Sequence, residues 1–111
     1  MRRDAAISRE LVGAERIWVG YVELSPGMSS SPHHHGEAES AIYVIAGEAQ
    51  FRTGPRYETV ETAGAGDIVW VPPQVPHIEE NRSATEPVRM LVVRSTQETL
   101  VFNLDAPNRQ P

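Results

Sequence analysis

Four histidines are the residues best suited to chemistry in this chain, and they fall at only two places: His33, His34 and His35 in one run, and His77 well downstream. In extended chain, successive side chains alternate between faces, so His33 and His35 point one way and His34 the other. An H-x-H pair is therefore a ready clamp for a metal ion. A third imidazole, from His77, completes a facial set only if the sheet curls so that both strands face one lumen, as a barrel's strands do. Three neutral nitrogens plus a carboxylate suit Zn, Fe, Mn, Ni or Cu. A surface histidine tract that scavenges metal would account for the triplet but leaves His77 without a reason. The chain has no cysteine, which excludes disulfides, thiolate metal sites and cysteine nucleophiles and leaves histidine and carboxylate as the strong ligands.

Other polar residues stand in suggestive phase. Glu79 shares its alternation with His77 and Asn81, which makes it a candidate acid/base or a group supporting a ligand, with a place at the rim as the alternative. Gln50 and Arg52 share one face of a neighbouring segment, where they either meet an anionic or carbonyl substrate or face solvent. His34 is expected to point outward or to stand behind the ligands.

The elements that must carry these residues read as strands. Gly and Pro punctuate the chain about every ten residues, and the segments between alternate or run apolar with β-branched residues, so helix signals are nearly absent. Strands are predicted over Arg16–Leu24, Ala41–Ile45, Ala49–Thr53, Tyr57–Thr62, Ile68–Val71, His77–Asn81, Val88–Arg94 and Thr99–Asn103. Pro72-Pro73 must end one of them, because neither ring nitrogen can donate to a ladder. Trp18, Tyr21, Tyr43 and Trp70 are expected mainly in the core, with some lining an apolar pocket. Seven or eight short strands with regular turns imply an all-β sandwich or barrel. A chain of 111 residues has room for one domain, with a core over about 14–104 and polar ends at 1–13 and 105–111.

Composition removes several partner classes. Net charge is −5, and the ten basic residues, all arginine, lie scattered after Arg2-Arg3, so no basic stripe exists for a phosphate backbone and nucleic acid is not an expected partner. No apolar run approaches the roughly 20 residues of a membrane helix. The first nine residues lack the apolar stretch of a secretory signal, from which a cytoplasmic protein is expected.

Two motifs make the chain resemble the cupins. The first reads G-x5-H-x-H-x3/4-E-x6-G in that family, and Gly27, His33, His35, Glu39 and Gly47 match it, with seven rather than six residues between Glu39 and the glycine. The second reads G-x5-P-x-G-x2-H-x3-N, matched by Gly66, Pro72, His77 and Asn81, with Gln74 where the family usually has glycine. An 18-residue segment, Glu48 to Ala65, separates them.

The resemblance implies an all-β, single-domain cupin, that is, a double-stranded β-helix or jelly-roll barrel. It further implies one divalent ion, with zinc favoured as purified, on His33, His35, His77 and Glu39. Counting back from Gly47, however, Ser40 rather than Glu39 holds the usual ligand register, and a one-residue shift swaps faces. Either a bulge restores Glu39 to the lumen, or the ion keeps three histidines plus water or a substrate oxygen. Glu39 is thus expected as a weaker ligand.

For function, the resemblance points to a metal-dependent enzyme acting on a small carbonyl or enol metabolite. The segment HHHGEAESAIYVIAG is similar to small cupins that cyclise aromatic polyketides. A cupin dioxygenase and a non-catalytic domain that binds or senses a small ligand or metal are the alternatives. A homodimer is expected from the apolar outer strands, Arg16–Leu24 among them.

Overall fold

The computed structural model of the chain describes residues 2–97 and 102–104. In chain order the elements are β1 (Arg2–Ile7), α1 (Arg9–Val12), β2 (Trp18–Leu24), β3 (His33–His34), β4 (Ser40–Ala46), β5 (Glu48–Thr53), β6 (Thr59–Gly64), β7 (Ile68–Val71), β8 (Ile78–Glu80), β9 (Val88–Arg94) and β10 (Phe102–Asn103). Five strands form one antiparallel sheet in the order β1-β2-β9-β4-β7. Opposite lie a three-stranded sheet, β6-β5-β8, and a two-stranded one, β10-β3. Isolated bridges at Ser29↔Glu80 and His33↔His77 tie the chain before and at the start of β3 to the chain at and just before β8.

The core lies between the two layers. Val22, Leu24, Ile42, Val44, Val88 and Met90 come from the larger sheet, and Ala49, Phe51 and Ala63 from the smaller. Pleat alternation sorts each strand of the large sheet into an inner and an outer set. β2 alternates with Trp18, Gly20, Val22 and Leu24 inside, β4 with Ser40, Ile42 and Val44. Cross-strand pairing then aligns Trp18, Arg94, Ser40 and Val71 in one inner row.

On the outer face the same registers make two apolar rows: Tyr21, Leu91, Tyr43 and Ile68, and beside it Val19, Val93, Ala41 and Trp70. Three of the four aromatics expected in the core are therefore outside it. Trp18 is buried, whereas Tyr21, Tyr43 and Trp70 are 53%, 43% and 64% exposed. Tyr21, Tyr43 and Trp70 do lie in strands, β2, β4 and β7, but the opposite phase of each strand faces the core.

The predicted strands over 68–71 and 88–94 match β7 and β9. Of the one predicted over 99–103, Phe102–Asn103 is strand, and residues 99–101 lie outside the described residues, as does the 105–111 end. The first 13 residues, read as a polar end, carry β1 and α1. β1 is exposed along its whole length and is held by backbone pairing to β2, so burial leaves no pattern in its sequence. α1 is a single turn capped by the Ser8 hydroxyl, which accepts from the Leu11 N–H, and by Gly13 in the left-handed region.

Candidate metal centre

The two histidine motifs meet through backbone. His33 and His77 pair directly, His33 N–H donating to the His77 carbonyl at 3.1 Å and His77 N–H to that of His33 at 2.9 Å. This brings their rings to 4.4 Å between centroids, with His35 at 4.9 Å from His33 and 5.3 Å from His77. One nitrogen from each of the three lies within 4.8 Å of the others. His34, on the other phase, accepts the Gly36 N–H on its Nδ1.

The outer nitrogens of two of these rings are tied down. His33 Nδ1 donates to the Ser31 carbonyl at 2.7 Å and His77 Nδ1 to the Val75 carbonyl at 2.9 Å. Such a bond sets the tautomer and turns the Nε2 lone pair inward, as in metal-ligating histidines. His77 Nε2 is buried and makes no hydrogen bond, a state that costs about 1–3 kcal/mol when nothing compensates it. Three converging imidazoles, two of them oriented from behind and one with an orphaned buried nitrogen, fit a divalent ion.

Of the two glutamates, the structure brings only Glu79 to this cluster. Its Oε1 is 3.5 Å from His77 Nε2, and the residue is 9% exposed. Burial pulls the His77 imidazole down, but the adjacent Glu79 carboxylate outweighs it and leaves the group above its ordinary value. Burial likewise pushes Glu79 up, and His77, with His33 and His35, more than reverses this, so the carboxyl stays below its usual range. His33 is pushed down by burial, which favours the neutral form that a ligand needs.

Glu39 lies elsewhere. It is exposed, its carboxylate accepts the Trp70 Nε1–H at 2.8 Å, and its N–H donates to the Ser95 hydroxyl. A turn over His35–Ala38, closed by Ala38 N–H on the His35 carbonyl, feeds β4 so that Ser40, Ile42 and Val44 are the buried phase. A bulge does occur in β4, but between Val44 and Ala46, beyond the stretch where it would have to lie to turn Glu39 inward.

The other motif residues are structural. Gly47 has φ 83, and a Cβ there would stand 2.4 Å from the Pro87 carbonyl oxygen. Gln74, at the family's usual glycine position, adopts φ 60, the left-handed backbone that glycine enters without strain. Asn81 is 2% exposed and donates to the carbonyls of Leu24 and Glu86.

His35, His77, Glu79 and Ser40 line a cavity of about 30 Å³ whose wall also includes Arg94 and Trp18. Arg94 was not singled out in the sequence. Its position in V88-x-M90-x-V92-x-R94 is the available signal, a charge on an apolar inward phase. Arg52, which was singled out, is ion-paired with Glu80.

Comparison with known proteins agrees with this architecture. A cupin-domain family model matches residues 20–94, 75 of the 111 residues, and the chain belongs to the cupin family. No protein of curated function matches it in sequence. Among solved structures, the polyketide cyclase RemF from Streptomyces resistomycificus is 29% identical, with a TM-score of 0.80 over 96% of this chain and 72% of that one. A conserved protein with a double-stranded β-helix domain from Klebsiella pneumoniae is 22% identical, with a TM-score of 0.75 over 94% and 84%. An oxalate oxidase is 20% identical, with a TM-score of 0.76 over 93% of this chain and 54% of that one. The fold is thus the double-stranded β-helix. Among the described residues, no helix is long and apolar enough to cross a membrane.

Proposed function

We propose that the protein is a metal-dependent cyclase or isomerase acting on a small carbonyl or enol metabolite, such as a poly-β-keto chain. The observation that carries this reading is the convergence of His33, His35 and His77 around an orphaned Nε2 with a buried carboxylate, Glu79, beside it. The 29% identity to a polyketide cyclase supports the choice of chemistry. The three histidines would hold the ion, with zinc the favoured metal. The ion would supply Lewis acidity to a carbonyl or enol oxygen.

The chain's own residues do the rest. Ser31 and Val75 carbonyls hold two imidazoles in the ligating tautomer. Glu79, kept ionised by its histidine neighbours, takes a proton from the carbon between two carbonyls as that bond's electrons move onto oxygen, and returns it at a later step. The reacting carbonyl enters the cavity that His35, His77 and Glu79 line.

The test is tag-free protein analysed for metal and assayed with a simple β-diketone. About one zinc per chain, with hydrogen–deuterium exchange at the central carbon and no O₂ uptake, supports the reading. Iron with O₂ uptake would replace it by an oxygenase, and a bound ion without exchange by a binding domain.

We infer further that the protein is a homodimer. The two apolar rows across β2, β9, β4 and β7 present Ile68 at 75% and Trp70 at 64% exposure on one continuous sheet face. An exposed apolar sheet face of this kind is what a two-fold dimer covers. Light scattering should give twice the chain mass, and Trp70→Arg should halve it; a monomeric wild type at micromolar concentration overturns the inference.

A further inference from the structure

Arg94 ends β9 on the inner phase, paired in register with Trp18 on one side and Ser40 on the other. It is 5% exposed, and its Nε is buried without a hydrogen-bond partner. Among the described residues no carboxylate pairs with it, in contrast to Arg52, Arg89 and Arg2, which are paired with Glu80, Glu23 and Asp4. The guanidinium lies over the Trp18 ring, 4.2 Å from its centroid, a contact worth about 0.5–2 kcal/mol. That offsets only part of the several kcal/mol that burying an ion costs. Burial, with Arg3 adding to it, presses its pKa down, yet an arginine remains charged at any ordinary pH. The side chain faces the cavity that His35, His77 and Glu79 line, and Arg3 and the buried Ser40 stand in the same wall.

We propose that Arg94 is an oxyanion subsite beside the metal centre, so that the substrate presents a carboxylate there. The proposal rests on the reading of the histidine cluster as the active site and adds to it the charge of the molecule that enters. Glu79 faces His77 in this wall, whereas the buried Arg94 Nε has no hydrogen-bond partner, so an anionic group suits Arg94. Trp18 holds the guanidinium plane, which leaves its edge for a planar carboxylate in the two-point arrangement that arginine favours. Ser40, next to it in the row, offers a hydroxyl to the same group.

The probes are acetoacetate and methyl acetoacetate, which share a β-dicarbonyl frame and differ in charge. Calorimetric titration of the zinc-loaded protein should show acetoacetate binding at least about tenfold more tightly, as one charge-assisted hydrogen bond allows. Because an ion alone also favours an anion, the comparison is repeated on protein stripped with a chelator, where Arg94 should still prefer acetoacetate. Arg94→Gln and Arg94→Met should each lose the preference on stripped protein and reduce it on loaded protein, while keeping their zinc. They should melt no lower than wild type, since no paired charge is removed, and acetoacetate should raise the melting temperature of wild type only.

No acetoacetate binding, equal affinity for the two probes, or a preference that survives in both variants overturns the proposal. A melting temperature well below wild type in both variants, without a change in preference, shows Arg94 to be a structural cation instead. Failure to bind zinc, with the preference intact on stripped protein, overturns the metal reading alone.

Discussion

The two segments that build the centre use the same residue types in different ways. From His77 to Asn81 the chain is continuous extended backbone, and His77, Glu79 and Asn81, two residues apart, are all buried. From His33 to Ser40 the chain starts as strand, breaks into a turn at His35–Ala38, and re-enters a strand with its phase reset. In the first segment spacing alone determines which side chains meet. In the second, spacing holds only up to the turn, so His33 and His35 converge while Glu39 comes to rest on the outer face against Trp70. The carboxylate that lies beside the histidines therefore comes from the second segment.

Ligand variants test this contrast most severely. His77→Ala, in the unbroken strand, should abolish stoichiometric metal binding, an effect larger than the roughly 10–100-fold loss expected when a group behind a ligand is removed. His34→Ala, one residue out of phase in the broken segment, should keep its metal. Elemental analysis of tag-free protein reads both. Metal loss in His34→Ala would show that the phase at His33–His35 has been misassigned.

The two glutamates come next. Glu79→Gln should lower turnover by about 10²–10⁴-fold, the usual contribution of a positioned acid/base, while Glu39→Gln should leave turnover near wild type and change stability by no more than about 0.5 kcal/mol. Steady-state assays on the pair decide it. A severe loss in Glu39→Gln with a normal Glu79→Gln would return the acid to the first motif.

A smaller effect lies in pH. A metal needs neutral imidazole, and His77 sits above its ordinary value of 6.5 because of Glu79. A raised pKa means that protons compete with the ion from a higher pH, so metal affinity should begin to fall as pH drops through the range just above 6.5. Glu79, held below 4.5, stays ionised there. In Glu79→Gln the fall should move to lower pH, and in Glu39→Gln it should stay. Titrations of metal affinity at several pH values check both directions.

Much of the fold was legible because most strands bury one face and so carry an alternating pattern. β7 and β9 match their predicted limits, and the His33–His35–His77 grouping follows from phase and motif spacing. What was not legible lies where no burial pattern exists or where phase must cross a turn. β1 is exposed throughout and pairs with β2 along its backbone. The outward placement of Tyr21, Tyr43 and Trp70 depends on which phase meets the second sheet, and side-chain type does not decide that. Arg94 sits in phase with Val88 and Met90, but only the three-dimensional arrangement shows that this end of β9 opens on the cavity.

The most direct test of the account is anomalous diffraction at the zinc edge from crystals of zinc-loaded protein. It predicts one peak per chain, about 2.0–2.1 Å from Nε2 of His33, Nε2 of His77 and a ring nitrogen of His35, with the Glu79 carboxylate facing the peak and Glu39 still bound to Trp70. A peak ligated by Glu39, or no peak between the three histidines, would contradict it.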